Sequence, residues 1–280
     1  MRLELATGPV SWGVDFAGAP GNPPWRTVLD GVVAAGLRRM ELGPLGYLPA
    51  TAAQALAARE LAITAGFVFE PFAFASDRAL AMARAVSARV AALGGTFLVL
   101  IDAVHPGRAR TAGDAAAAER LTARDRARLL STLDEAAAIG RAHGLSPVVH
   151  PHAGSAIEFA DEIEAVAARH ELCLDTGHLA YAGLDPVAVY ERYADRVSYL
   201  HLKDVDPTRR RGGFWPSVAA GAFCPLGDGA VDLPALIERL DAHRFDGIAV
   251  IEQDRVPGGD PVADLRRSVA HVEEAIACRA

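Results

Sequence analysis

The regular alternation of short apolar segments with longer amphipathic segments most constrains the fold of this 280-residue chain. The short segments are bounded by Gly, Pro or Asp, which is typical of buried β-strands. The long segments carry apolar residues at three- and four-residue spacing, which is typical of helices that cover a sheet. The predicted strands are Leu3–Val10, Arg39–Leu42, Phe67–Phe72, Thr96–Asp102, Pro147–His150, Leu172–Asp175, Val197–Leu202 and Gly247–Glu252. The predicted helices are Trp25–Ala35, Ala52–Ala65, Asp77–Leu93, Ala115–Ala142, Ala156–Arg169, Pro186–Tyr193, Leu233–His243 and Pro261–Ala277.

Eight strand–helix units in 280 residues average about 35 residues each, which is the unit size of a (β/α)8 TIM barrel. No Gly/Pro/Ser-rich linker divides the chain, so a single domain over residues 1–280 is expected. A doubly wound open sheet is the alternative. It is disfavoured because the turn after the first strand, Gly8–Gly13, lacks the glycine pattern that holds a dinucleotide.

Charge and hydropathy exclude several classes of partner. The net charge is −7 and the only basic run is Arg209–Arg211, which argues against nucleic acid. No apolar stretch reaches the roughly 18 residues of a membrane span, and the N-terminus lacks the apolar core of a signal peptide. The three cysteines form no close-spaced pair, so a reducing cytoplasm is expected. A homo-oligomer is left open.

Polar side chains close the last four predicted strands. His150, Asp175, His201 and Glu252 end strands five, six, seven and eight. Because the carboxyl ends of parallel barrel strands share one rim, these two imidazoles and two carboxylates are predicted to converge on a divalent metal. Mn²⁺ and Co²⁺ are favoured, Zn²⁺, Fe²⁺ and Mg²⁺ are alternatives, and the set is too rich in nitrogen for calcium.

Several nearby residues have more than one interpretation. His152 is an alternative ligand to His150, because both share a strand face if Pro151 does not bend it. His178 is a candidate ligand, substrate contact or orienting group. Three further residues at early strand ends are candidate substrate contacts: Trp12, Glu41 and Glu70. The long segment Asp204–Gly229 is predicted to overhang the mouth of the barrel, with Phe214 and Trp215 as a lid or an oligomer contact.

Lys203 is the only lysine among 28 basic residues. A chain so depleted in lysine is expected to retain one where arginine cannot substitute, since lysine can lose its proton and lacks the forked guanidinium. It lies two residues after His201, so both side chains are predicted to point into the barrel mouth.

These motifs resemble the xylose-isomerase-like TIM barrels, a family of sugar isomerases, epimerases and inosose dehydratases. The resemblance lies in Asp175–His178, His201–Asp204, Pro225–Gly229 and Ile251-Glu252. Two N-terminal segments look most like the inosose dehydratase branch: Pro9–Gly13 and Glu41–Pro49. The resemblance implies metal ligands at His150, Asp175, His201 and Glu252.

The chain departs from many family members at one position. A glutamate is common where His150 lies, and the resemblance implies that two opposed glutamates carry proton exchange in the epimerases. With Glu252 alone, dehydration of a keto-inositol (inosose) or related polyhydroxy ketone through a metal-stabilised enolate is favoured. A small-molecule keto-sugar or cyclitol is therefore the expected partner, and a sugar or sugar-phosphate isomerase or epimerase is the alternative. A non-catalytic sugar-binding protein and a nuclease are weaker alternatives.

The catalytic roles remain alternatives at this stage. Glu252 or an unligated His152 is the candidate base, and Lys203 or His178 is the candidate acid. Lys203 suits proton donation only if a cation-rich environment lowers its pKa. Otherwise it would hold a substrate hydroxyl or enolate as a fixed cation.

Overall fold

The structure is a computed structural model that describes residues 1–254 and 259–278. Its strands are β1 (Arg2–Thr7), β2 (Arg39–Met40), β3 (Ala62–Ile63), β4 (Ala65–Glu70), β5 (Phe97–Asp102), β6 (Ser146–Val149), β7 (Glu171–Asp175), β8 (Val197–Leu202), β9 (Asp204–Val205), β10 (Phe223–Cys224) and β11 (Asp246–Ile251). Its helices are α1 (Trp25–Ala34), α2 (Ala52–Ala57), α3 (Ser76–Ala92), α4 (Pro106–Thr111), α5 (Ala123–Ala142), α6 (Ala160–Ala167), α7 (Thr176–Tyr181), α8 (Pro186–Tyr193), α9 (Phe214–Ala219), α10 (Leu233–Ala242) and α11 (Pro261–Ala277).

The main sheet is a nearly closed parallel barrel. Its strand order is β3-β2-β1-β11-β8-β7-β6-β5-β4, so neighbours in the chain are neighbours in the sheet. The two ends of this order, β3 and β4, flank Thr64 and together occupy one strand position, or stave, of the barrel. Leu42 N, just after β2, donates to Ala65 O of β4 at 2.8 Å, so the second strand is bonded to both β3 and β4. The predicted (β/α)8 TIM barrel is confirmed, and the doubly wound alternative is wrong.

The predicted helix Ala52–Ala65 is too long. Helix α2 ends at Ala57, and Glu60 then takes a φ of 55°, a left-handed conformation that a helix cannot continue through. Residues 62–65 instead enter the barrel, so the third strand position begins at Ala62 and not at the predicted Phe67. The prediction was too long because alanine favours helices and continues through the turn at which α2 ends.

Two other predicted helices begin too early. Helix α5 starts at Ala123 because the Thr122 hydroxyl accepts a hydrogen bond from Asp125 N at 3.1 Å and caps the first turn. Helix α6 starts at Ala160, where the Glu162 carboxylate accepts from Phe159 N at 3.0 Å. In each case a polar cap, and not the apolar periodicity, sets the first residue.

The first predicted strand is also too long, because β1 ends at Thr7 and Pro9–Trp12 forms a 3-10 turn. Proline lacks the N–H that a central strand would need to continue. The long segment predicted to overhang the mouth is ordered: β9 and β10 pair antiparallel, and α9 lies between them. This segment therefore has secondary structure of its own.

A small apolar cluster fills the barrel interior below the mouth, and a larger one lies between the strands and the helices. The interior cluster is built from small or branched side chains with two aromatics from β4, one from β5 and one from β8: Ala6, Ala65, Phe67, Phe69, Phe97, Val99, Ile101, Val148, Cys173, Tyr199, Ile248 and Val250. Among the described helices, none is both long and apolar enough to cross a membrane. The packed interior leaves polar groups at the carboxyl ends of the strands.

Candidate active site

Four side chains predicted as metal ligands meet at the carboxyl end of the barrel. His150 Nε2 lies 3.1 Å from Asp175 Oδ2, and His201 Nδ1 lies 3.7 Å from the same oxygen. Glu252 Oε2 lies 3.1 Å from His201 Nδ1. All four side chains are buried. The structure therefore brings together the two imidazoles and two carboxylates from four consecutive staves.

Strand register and a helix cap produce this convergence. Asp175 pairs with His201, and His201 pairs in turn with Val250 on β11. Asp175 also caps α7, since its Oδ1 accepts from His178 N at 2.8 Å. The cap fixes the carboxylate, and its second oxygen, Oδ2, faces His150.

Lys203 contacts the predicted ligands directly. Its Nζ lies 3.4 Å from Asp175 Oδ2, 3.2 Å from Glu252 Oε2 and 3.5 Å from Asp254 Oδ1. The close approach of α7 helps to hold it, because a side chain at Gly177 would collide with Lys203 Cβ. Although Lys203 follows His201 by two residues, its ammonium contacts the same two carboxylates as the His201 ring.

The donor set fits a divalent cation. The Nδ1 atom of His150 is buried and has no hydrogen-bond partner among the described residues, while Nδ1 of His201 faces the oxygens of Asp175 and Glu252. Single atoms of Glu41, His201 and Glu252 lie within 4.8 Å of one another, as do atoms of His150, Asp175 and a third histidine, His178. Imidazole nitrogen and carboxylate oxygen are ligands of first-row divalent metals. Such a cation would have to share or take over the oxygens that Lys203 contacts.

Mutual neutralisation dominates the charges of the site. Burial alone would raise the pKa of Asp175, but Lys203 and the imidazoles outweigh it and hold that pKa well below its usual range. Burial is likewise outweighed at Glu252, where His201 and Lys203 lower the pKa to about 2. Burial alone would lower the pKa of Lys203, yet the surrounding carboxylates raise it well above its usual value. These carboxylates therefore hold Lys203 as a cation.

His201 and His150 have opposite electrostatic environments. Burial would lower the pKa of His201, but Cys173, Glu252 and Glu41 outweigh it and raise that pKa well above its usual value. Burial lowers the pKa of His150 despite its hydrogen bond to Asp175. His150 is therefore neutral at physiological pH, as metal ligation requires, whereas His201 is held as a cation and would have to release its Nδ1 proton to ligate a metal.

His152 offers a free base to the cavity. Its Nδ1 lies 2.9 Å from Ala153 O, and a carbonyl only accepts, so Nδ1 carries the proton and Nε2 keeps its lone pair. Burial lowers the pKa of His152 to about 3. The His178 ring lies 3.8 Å from the His152 ring, centroid to centroid. Nδ1 of His178 accepts a hydrogen bond from Ala153 N at 3.3 Å. Burial and His152 keep the pKa of His178 well below its usual value.

The three predicted substrate contacts on the early strands lie in different places, while the fourth, His178, lies beside His152. Glu41 lines the cavity, but its Oε1 is 3.0 Å from His201 Nε2. Glu70 forms an ion pair with Arg78 at 2.5 Å and is not among the described residues that line the cavity. Trp12 is buried against Gly31 of α1, which has no room for a side chain beneath the indole ring, and it also lies outside that lining.

The cavity above the site opens to solvent. Polar side chains from the ends of β6, β8 and β11 line part of it, and the rest of its lining is largely apolar: Val10, Val14, Phe16, Phe67, Phe69, Ile101, Phe214, Trp215 and Val218. Phe214 is buried and its ring lies 5.4 Å from that of His152, while Trp215 is half exposed. This places both aromatics of α9 on the wall of the cavity.

Asp254 is a lining residue that the sequence did not single out as a candidate. It is two residues beyond Glu252 and its Oδ2 lies 4.0 Å from His178 Nε2. Burial raises its pKa to about 6, against the opposing effect of Lys203. The available signal was the two-residue spacing from Glu252, the same spacing that separates Lys203 from His201.

A family model described as "Xylose isomerase-like TIM barrel" matches residues 29–275. An inosose dehydratase of Geobacillus kaustophilus is 35% identical over 150 residues, which cover 50% of this chain and 49% of the relative. An inosose dehydratase of Clostridium beijerinckii is 30% identical over 125 residues, which cover 41% of this chain and 42% of the relative. The chain thus matches about half the length of these curated relatives, or somewhat less.

Solved structures share the fold at low sequence identity. The IOLI protein with a bound zinc atom has a TM-score of 0.76 and 13% identity, covering 98% of both chains. An L-ribulose 3-epimerase has a TM-score of 0.75 and 16% identity, covering 99% of this chain and 95% of its own. The family model spans most of the chain, and the barrel with its rim of imidazoles and carboxylates agrees with it: the protein belongs to the xylose isomerase-like TIM barrel family.

Proposed function

We propose that this protein is a divalent-metal-dependent lyase that dehydrates a keto-inositol (inosose) or a related polyhydroxy ketone. The observation that carries the proposal is a neutral imidazole, His152, with a free Nε2 beside a compact set of metal-type ligands in one cavity. The similarity to two inosose dehydratases supports the choice of substrate.

His150, Asp175, His201 and Glu252 would hold the cation, with Mn²⁺ or Co²⁺ favoured. When bound, the cation would polarise the substrate carbonyl and make the neighbouring C–H more acidic. Asp175 and Glu252 together neutralise its two charges. His150 contributes no further negative charge, because its imidazole is neutral.

The proton steps fall to this chain's own residues. We assign His152 Nε2 as the base that removes the proton next to the ketone. The C–C double bond forms as the bond to the β-hydroxyl breaks, and that hydroxyl leaves as water after receiving a proton. Asp254 lines the cavity and has its pKa raised to about 6, so we assign it to deliver this proton. His178 Nε2, 4.0 Å from Asp254 Oδ2, is assigned to orient it, since the pKa of His178 is held well below its usual value. Lys203 stays charged and holds developing negative charge.

The cavity favours an uncharged ring as substrate. No arginine is among its described lining residues, and the Lys203 ammonium is already surrounded by carboxylates. A phosphate would therefore lack the forked donors that usually bind it. The apolar wall suits the C–H face of a six-membered ring, while the polar side receives its oxygens.

A sugar isomerase or epimerase is the second candidate. Glu41 brings a second buried glutamate into the same cavity as Glu252, although it enters from β2 and not from the position of His150. Proton transfer between two such groups would exchange a substrate hydrogen without losing water.

The test uses the full chain, loaded with Mn²⁺, Co²⁺ or Zn²⁺ and supplied with inosose in deuterated buffer. The lyase predicts a new enone absorbance and loss of substrate. Deuterium in recovered, intact sugar would favour the isomerase or epimerase. Absence of metal binding and of activity with every ion would contradict both.

A further inference from the structure

We infer that Glu41 is a positioning residue for the metal site: it holds the His201 ring so that Nδ1 faces Asp175 and Glu252. This inference rests on the proposed metal-dependent function and replaces the sequence-based assignment of Glu41 to sugar hydroxyls.

The geometry fixes the direction of the ring. Glu41 Oε1 lies 3.0 Å from His201 Nε2. A carboxylate only accepts, so Nε2 carries the proton and donates it to Glu41. The opposite ring nitrogen, Nδ1, then points to Glu252 Oε2 at 3.1 Å and to Asp175 Oδ2 at 3.7 Å. A carboxylate on the far nitrogen of a ligating histidine is a recurrent way to fix ring orientation in metal sites.

A second contact anchors Glu41 itself. The Tyr199 hydroxyl donates to the same Oε1 at 3.1 Å, and Thr64 Oγ1 lies 2.9 Å from that hydroxyl. Tyr199 and His201 are two residues apart on β8 and so point to the same face. One oxygen of Glu41 thus receives hydrogen bonds from two successive inward side chains of β8. Its oxygen is already used by protein donors, which leaves less capacity for a sugar hydroxyl.

The backbone supports this placement across the barrel. Glu41 N donates to Thr7 O at 2.8 Å, which holds β2 against β1, while β8 is three strands away from β2 in the sheet order. Glu41 is 1% exposed, so its negative charge lies in a low-dielectric interior where a hydrogen bond to a ring N–H is strong. The contact therefore reaches across the interior and links the metal-ligand rim to the strands on the other side.

The test measures the affinity of the full-length protein for Co²⁺ by competition with a chromophoric chelator. Glu41→Gln keeps the size of the side chain but removes the carboxylate, and we expect a loss of about 10- to 100-fold in affinity. Tyr199→Phe leaves Glu41 in place without its anchor, and we expect a smaller loss in the same direction. Glu70→Gln is the matched control for metal affinity, because Glu70 also ends a strand but pairs with Arg78 outside the cavity. Its affinity is expected to equal that of the wild type.

The visible spectrum of the Co²⁺-saturated protein distinguishes positioning from direct ligation. A positioning residue predicts that Glu41→Gln lowers affinity while the saturated spectrum keeps the band positions and intensity of the wild type. A changed spectrum at saturation would make Glu41 a ligand and overturn the inference. Equal affinity of Glu41→Gln and the wild type would also overturn it, with the proposed function intact. Failure of the wild type to bind Co²⁺, Mn²⁺ or Zn²⁺ would instead overturn the metal-dependent function, and this inference with it.

Discussion

The two sides of the barrel mouth differ in chemistry although they share one fold and one cavity. Strands β6, β7, β8 and β11 end in imidazoles, carboxylates and an ammonium. Strands β4 and β5 turn Phe67, Phe69 and Ile101 toward the same space. The polar side thus holds the groups that can bind a cation or move a proton. The apolar side offers only shape and exclusion of water.

The difference explains how so many charges are held in a small volume. An apolar wall competes for no hydrogen bonds and keeps water away, so each charge interacts mainly with its neighbours on the polar side. The ammonium of Lys203, for example, lies within 3.5 Å of three carboxylates. We expect changes on the polar side to affect chemistry and metal binding, and changes on the apolar side to affect substrate binding alone.

The largest effect is expected from Asp175→Asn. Asp175 is fully buried and contacts His150 and Lys203, so its neutral amide would leave the cation site with one carboxylate. Loss of several kcal/mol of stabilisation predicts a fall in kcat/KM on the order of 10³-fold or more. Metal analysis and steady-state kinetics on the same preparation would check it. If a folded Asp175→Asn variant kept wild-type activity and metal content, Asp175 would not be a metal ligand and the proposed role of the polar side would be contradicted.

Much of this polar side could be predicted from the sequence. Each of His150, Asp175, His201 and Glu252 follows an apolar strand, and parallel strands in a barrel end on one rim. Residue type and strand period therefore predicted both the fold and the meeting of these four side chains. Trp12 and Glu70 also lie near strand ends but turn away from the cavity. Trp12 lies in a turn, where strand period does not tell which way a side chain points. Glu70 is still in β4 and directly follows the inward Phe69, so strand alternation turns it to the other face.

The rest depended on contacts that sequence spacing does not encode. The hydrogen bond from His201 to Glu41 joins residues 160 positions apart on strands that are not neighbours in the sheet. The position of the Lys203 ammonium depends on the rotamers of a long side chain, which settle only when the carboxylates are in place. Helix starts were missed for a similar reason, because caps such as Thr122 act through single hydrogen bonds.

Lys203 should give the next largest effect, on the same side of the cavity. Lys203→Arg must place a larger, forked guanidinium where the Lys203 ammonium already lies within 3.5 Å of three buried or half-buried carboxylates, and we expect a fall in kcat of about 10²-fold. Lys203→Met should lower kcat similarly but raise the affinity for Mn²⁺ about tenfold, since it removes a positive charge from the oxygens of Asp175 and Glu252. Turnover and calorimetric titration would measure the two quantities. Near-normal turnover of Lys203→Arg would show that the site needs only a positive charge.

Acid sensitivity is the third way to separate the two sides. The pKa of His152 is about 3 in the folded protein, against about 6.5 when unfolded. Above pH 6.5 both states are neutral and the stability is fully present. As the pH falls from 6.5 towards 3, the unfolded chain takes up the proton first. The free energy of unfolding then decreases by up to about 1.4 kcal/mol per pH unit from this group.

Denaturant unfolding between pH 7 and pH 4 would measure this slope. His152→Gln should reduce it, although His150 and His178 contribute in the same direction because their pKa values are also lowered. Phe67→Leu is the control from the apolar side, since it changes no titrating group and should leave the slope unchanged. Equal slopes for the wild type and His152→Gln would mean that His152 is not held neutral by burial.

The smallest effect is expected on the apolar side, from Phe67→Leu. Phe67 suits this test better than Phe69, whose ring packs edge-on against His152 at 5.7 Å and so touches the polar side. A ring that packs on the substrate in both the ground state and the transition state contributes uniform binding. We therefore expect KM to rise about two- to tenfold, as the loss of an aromatic contact predicts, with kcat within about twofold of the wild type. Steady-state kinetics with inosose would show it. If kcat instead falls as far as in the Lys203 variants while the protein stays folded, the apolar wall shapes the transition state as well, and the two sides of the mouth do not divide binding from chemistry.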